Sequence, residues 1–127
     1  MGARAPVPVD LSYGRAVVQV AVDGEPKPFC LVLDSGVSQL VLNCGDRCPL
    51  LADEHTIIAI TNTGQISVRE GRIRSAIIGS SRWVSVPAVL IRRSSDADEG
   101  DGLLPTVWFS AIFVNTGGKL IRFEAKR

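Results

Sequence analysis

Along most of the chain, apolar and polar residues alternate with a period of two, the mark of half-buried strands. In RAVVQVAVDGEPKPFCLVLD, Val18, Val20 and Val22 share one face, Asp23-Gly24 supplies a turn, and Phe29, Leu31 and Leu33 share a face on the return. HTIIAITNTGQISV predicts a second hairpin turning at Asn62-Thr63-Gly64. RIRSAIIGSSRWVSVPAVLI gives two more strands around Gly79-Ser80-Ser81, and Pro87 predicts an edge or a bulge in the latter. AIFVNTGGKLIRFE closes the chain as a hairpin turning between Asn115 and Gly118. NCGDRCPLLADEH reads as a polar loop with two cysteines, and RRSSDADEGDG as a charged, flexible one. PTVWFSA is the one segment that reads as helix, with Pro105 at its first position. Short strands at regular spacing with one short helix predict an all-β, closed or partly closed barrel.

Composition narrows this little. The 127 residues suggest one domain, and 46% apolar with 21% charged residues is an ordinary globular balance. Net charge is +1 with the basic residues scattered, so no nucleic-acid partner is expected. The apolar runs are too short to span a bilayer, and MGARAPVPVD lacks the apolar stretch of a signal peptide.

The informative stretch is FCLVLDSGVSQLVLN, residues 29 to 43, where Asp34-Ser35-Gly36 interrupts two apolar runs. All three residues favour turns, so a plain turn is one reading. The flanks argue for another. Leu31-Val32-Leu33 precede the triplet and Val37 follows it, and an acid held between apolar strands is where a functional role is expected.

FCLVLDSGVSQLVLNCGDRC resembles the active-site segment of aspartic proteases: apolar-apolar-Asp-Ser/Thr-Gly-x-Ser, then alternating apolar residues. YGRAVVQVAVDGEPKPF is similar to the first hairpin of a pepsin-like lobe. Asp101-Gly102-Leu103-Leu104 resembles the segment that supports the catalytic loop from beneath, and IFVNTGGKLIRF resembles the last hairpin of bacterial retropepsin-like proteins. The likeness runs in order from about residue 12 to 124. It implies a single-lobe, retropepsin-like closed β-barrel with one short C-terminal helix, residues 1–127 forming a single domain. Val37 stands where Ala or Ser is commoner, and Pro105 follows Leu104 where many members have Gly, as in a bacterial subgroup with a similar Gly-Leu-Leu-Pro-Thr run.

The chemistry implied is peptide-bond hydrolysis by two carboxyls that share a proton and activate a water. Aspartates stand at 10, 23, 34, 46, 53, 96, 98 and 101, and Asp34 alone lies in an Asp-Ser/Thr-Gly triplet. One chain therefore supplies half a site, and the resemblance implies a two-fold homodimer that pairs Asp34 with its mate. It assigns Asp34, Ser35 and Gly36 to catalysis: Ser35 braces the two loops, and Gly36 brings its N–H to the carboxylates. The terminal segments are the expected interface strands. By order, Asn62, Thr63, Gly64 and Gln65 occupy the flap over a peptide or protein substrate. They carry neither the Tyr of pepsin-like flaps nor the several glycines of retroviral ones.

Pepsin-like lobes also carry a small disulfide loop where this chain has Cys44 and Cys48. The resemblance thus implies a disulfide and an oxidising compartment, periplasmic or extracellular; two free thiols in a reducing cytosol are the alternative. Cys30 is left over and reads as a half-buried free thiol. His55 reads as a solvated residue heading a strand. Its spacing from Cys44 and Cys48 suits zinc poorly, and it has no evident nucleophile partner. Asp96 to Asp101 lacks EF-hand offsets and reads as a polar loop, Arg92-Arg93 as a solvated strand end, and Trp83 and Trp108 as core or interface. No metal or cofactor is expected. An inactive peptide-binding or dimerisation module on the same fold is the alternative to an enzyme.

Overall fold

Ten strands account for nearly all the regular structure in the computed structural model, which describes residues 5–44, 48–91 and 101–125. They are β1 (Val7–Pro8), β2 (Val17–Val22), β3 (Phe29–Asp34), β4 (Leu40–Asn43), β5 (Ala52–Thr61), β6 (Gly64–Ile78), β7 (Ser81–Ile91), β8 (Gly102–Pro105), β9 (Phe109–Asn115) and β10 (Leu120–Ala125). The expected all-β fold is what the chain forms, and the local hairpins β2–β3, β5–β6, β6–β7 and β9–β10 fall where the alternation put them.

The expected C-terminal helix is not there. Leu104 and Pro105 end β8, Thr106–Trp108 form a single 3-10 turn, and Phe109 already begins β9. Pro105 has φ −66° and ψ 128°, so it enters the turn extended. Tertiary pairing wins over the local signal: Phe109 is buried as a strand residue, its ring 4.3 Å from that of Phe123 on β10.

Seven strands join in the order β2-β3-β8-β4-β7-β6-β5, and a separate antiparallel sheet runs β1-β10-β9. β6 also pairs with β2, through Ala21↔Ile77 and Val22↔Ala76, so the large sheet folds back toward its first strand. This junction is two residue pairs long.

Two features lay beyond local reading. β6 is one strand of 15 residues that serves both central hairpins. Two neighbours in the sheet are parallel, β3 with β8 and β4 with β7. Pro87 is tolerated because β4 first pairs with β7 at Ala88, so on that side no ladder partner needs the missing N–H. Nearby Ser85 has φ 51°, and there the outward face of β7 switches parity.

A single apolar cluster joins the two sheets. Val18, Val20, Leu31, Leu40, Leu42, Ile73 and Leu104 are fully buried from the large sheet, and Ile121 from the small one. Trp83 and Trp108 pack against its edge, their rings 6.2 Å apart, as expected of core residues. The charged loop with Arg92, Arg93 and the acidic run from Asp96 lies outside the described residues as far as residue 100, as do residues 45–47 between the two cysteines.

Candidate active site

β3 delivers Asp34 at its last position. Apolar alternation drives Leu31 fully into the core, while Asp34 is half-buried and Ser35 and Gly36 are exposed where the chain leaves the sheet. Asp34 Oδ1 accepts the Gly36 N–H at 2.7 Å, which fixes the carboxylate over its own turn.

β8 holds this turn in place. It lies between β3 and β4, parallel to one and antiparallel to the other, with Leu33↔Leu104, Asp34↔Pro105 and Leu42↔Gly102 in register. The loop from Ser35 to Gln39 therefore bridges two strands that flank a third, and passes the Leu104–Pro105 end of it. Gly102 makes the insertion possible. Its φ is 146°, and a Cβ there would overlap the Val41 carbonyl oxygen and stand 2.9 Å from the carbonyl carbon.

Asp101 fastens the entry to β8. Its Oδ2 accepts the Cys30 N–H at 2.8 Å, its own N–H donates to Cys30 O at 2.9 Å, and its carbonyl accepts the Asn43 N–H at 2.7 Å. One residue thus ties the start of β3 to the end of β4. The sequence placed Asp101 in the supporting segment but did not give its carboxylate this task. Cys30 is a free, half-buried thiol, as expected. Burial pushes the Cys30 thiol up from its ordinary pKa, and the Asp101 and Asp10 carboxylates push it the same way.

Cys44 and Cys48 form a disulfide directly after β4. Asn62, Thr63, Gly64 and Gln65 are all exposed at the β5–β6 turn, where Thr61 pairs with Gly64. The base of that hairpin is linked to the Asp34 loop by a chain of side chains that sequence reasoning missed. Gln39 Nε2 donates to Glu70 Oε2 at 3.1 Å, and Glu70 Oε1 lies 2.9 Å from His55 Nε2. His55 Nδ1 lies 3.0 Å from Asp53 O. Both ring nitrogens face acceptors, so the imidazolium satisfies both. The Asp53 carbonyl, then Glu70, hold the His55 pKa above the ordinary histidine value. Among the described residues no three His, Cys, Asp or Glu side chains gather as a metal site would need. None of their helices is long and apolar enough to cross a membrane.

An Asp-Ser-Gly turn presented between β3 and β4 and seated on β8 defines a class of protein. Residues 18–106 match the model of the aspartyl protease family, and the chain belongs to that family. Its fold is retropepsin-like. It is similar to a retropepsin-like aspartic protease from Rickettsia conorii, with TM-score 0.61 and 12% identity over 97% of this chain and 95% of that one. No curated protein sequence matches the chain.

Proposed function

We propose that this protein is an aspartic endopeptidase that works as a homodimer, each subunit contributing Asp34. The observation that carries the reading is the presentation of Asp34. Its carboxylate is half-exposed, anchored by the Gly36 N–H and set at the end of a strand that β8 braces. Two such carboxyls side by side cannot both ionise cheaply, so the pair holds one proton between them. The ionised member takes a proton from a water that attacks the scissile carbonyl, and the neutral member donates to the carbonyl oxygen. Ser35 braces the paired loops.

Residues 12 to 124 act as one domain, its large sheet closed by the β2–β6 junction. The small sheet supplies the subunit interface, consistent with the exposed Phe113, Val114 and Leu120 on β9 and β10. An extended peptide lies under the turn Asn62 to Gln65, held by backbone hydrogen bonds with alternate side chains in pockets. The Cys44–Cys48 disulfide favours a periplasmic or extracellular setting.

The turn Asn62 to Gln65, with neither a Tyr nor several glycines, and Pro105 after Leu104 favour a second reading, an inactive peptide-binding or dimerisation module on the same fold. Light scattering across concentration and pH, followed by peptide-library cleavage, separates the two. The enzyme reading requires a dimer, activity peaking on the acid side and falling on dilution, and its loss in a folded Asp34→Asn variant. A strict monomer at every pH, or cleavage by Asp34→Asn, overturns it.

A further inference from the structure

β6 changes partner partway along its length. Its first part pairs with β5 as far as Ala52↔Arg72, and on the same side it meets β2 at Val22↔Ala76, with Asp23 N–H donating to Ser75 O. Between these two partners a groove of about 820 Å³ opens. Outward side chains of β6 and β7 line it, flanked by the segment before β5 and by the β2–β3 turn. None of its lining residues belongs to the Asp34 loop or to the β5–β6 turn.

Its chemistry is uneven. Arg72, Arg74 and Arg82 all project into it and are exposed. Arg72 Nη1 donates to Ser85 O at 2.8 Å, which pins that guanidinium at the groove wall. None of the three ion-pairs with a carboxylate among the described residues, whereas neighbouring Arg69 pairs with Glu54 at 3.2 Å. Beside them are apolar side chains exposed to water, Leu50 at 94% and Val84 at 67%. Asp23 and Glu25 carry the opposite charge, but they belong to the flanking turn. A leucine almost wholly in solvent beside three guanidiniums is a surface that favours an amphipathic anion.

We propose that this groove is a docking site for an extended acidic segment of a partner polypeptide, in which carboxylate side chains alternate with apolar ones. The spacing carries the choice of an extended strand. Arg72 and Arg74 are two positions apart on one strand, about 7 Å, which is also the spacing of alternate side chains in an extended peptide. Carboxylates at i and i+2 therefore meet successive guanidiniums in the forked geometry that arginine favours, while the intervening apolar residues, which point the other way, reach Leu50 and Leu51 on the flanking segment. Asp23 and Glu25 repel acid at the turn side, so the segment bears its charge over a short run only. The proposal stands on this surface alone and does not rest on the proteolytic reading.

The test is fluorescence anisotropy with a fluorescein-labelled peptide alternating glutamate and leucine over about eight residues, beside matched peptides carrying lysine or glutamine. It is run on the wild type and in the Asp34→Asn background, so that cleavage of the probe is not mistaken for release. The glutamate peptide is expected to bind at low salt and to weaken as salt screens it. R74E/R82E should lose at least about tenfold in affinity for it and gain binding of the lysine peptide. R74Q/R82Q, checked for folding by circular dichroism, should lose the first without gaining the second. Absence of binding, equal binding of all three peptides, or unchanged affinity in both double variants would overturn the proposal.

Discussion

Replacing Gly102 with alanine tests whether β8 is wedged between β3 and β4 as tightly as the geometry states. The new Cβ would overlap the Val41 carbonyl oxygen and come within 2.9 Å of its carbon and 3.1 Å of Leu42 Cα. Carbon atoms rest about 3.5–4.0 Å apart, so β4 and β8 must part by roughly 1 Å. That separation weakens the β4–β8 ladder, which consists of Val41↔Leu103 and Leu42↔Gly102. Two weakened backbone hydrogen bonds cost about 2 kcal/mol. Holding alanine in a glycine-only backbone region adds about 1–3 kcal/mol. The expected loss is about 4 kcal/mol, a drop of roughly 2 M in the urea midpoint for a slope of about 2 kcal/mol/M. Gly24→Ala is the matched control. Its φ is also positive, at 82°, but no atom lies within 4 Å of the added Cβ, so backbone strain alone applies. That variant should lose about 1 kcal/mol. If both variants unfold at the same urea concentration, the close approach of β8 to β4 is not a real constraint and the account of how the Asp34 loop is supported fails.

Asp101→Ala removes the acceptor for the part-buried Cys30 N–H and should destabilise by about 1–3 kcal/mol in the same urea assay. His55 should titrate by NMR with a midpoint above that of an ordinary histidine, and Glu70→Gln should lower the midpoint, since Glu70 is one of the two groups that raise it. Because the folded-state value is raised, the His55 contribution to stability is fully present below the unfolded-state pKa and is lost as pH rises through the folded one; a midpoint below the ordinary value would reverse the sign. Thiol titration in denaturant should count one thiol before reduction and three after, and in the native protein Cys30 should alkylate more slowly than a free cysteine at neutral pH.

What the sequence disclosed was whatever depends on neighbours along the chain. Period-two alternation with Asp23-Gly24, Asn62-Thr63-Gly64 and Gly79-Ser80-Ser81 located three hairpins, because such turns are set by a few adjacent residues. The Asp34 triplet and the Asp101–Leu104 segment were visible as an ordered resemblance. The rest was decided by contacts remote in sequence. Phe109 sits in a strand because Phe123 and Trp83 are there to receive it, while Pro105 at the head of PTVWFSA suggested a helix. The segments ending at Val68 and starting at Arg72 read as parts of two separate hairpins, yet β6 runs through both as one strand. Gln39 and Glu70 are 31 residues apart, so nothing local marked them as partners. The gap that exposes Arg72 and Arg74 exists only because β6 trades one neighbour for another.

The position of β8 also orders events in time. Cys30 and Asp101 are separated by 71 residues, and closing such a span costs about 4 kcal/mol of chain entropy before any pairing offsets it. Hairpins β2–β3, β5–β6 and β6–β7 can zip locally, but the middle of the large sheet stays vacant until β8 arrives. A growing chain that has not yet emerged past Pro105 carries β3 and β4 as two strands with facing, unfilled edges, a state prone to pairing with other chains. The turn bearing Asp34 lacks its brace for the same interval. Under the proposed activity, a nascent chain therefore holds no braced Asp34 until β8 has been made.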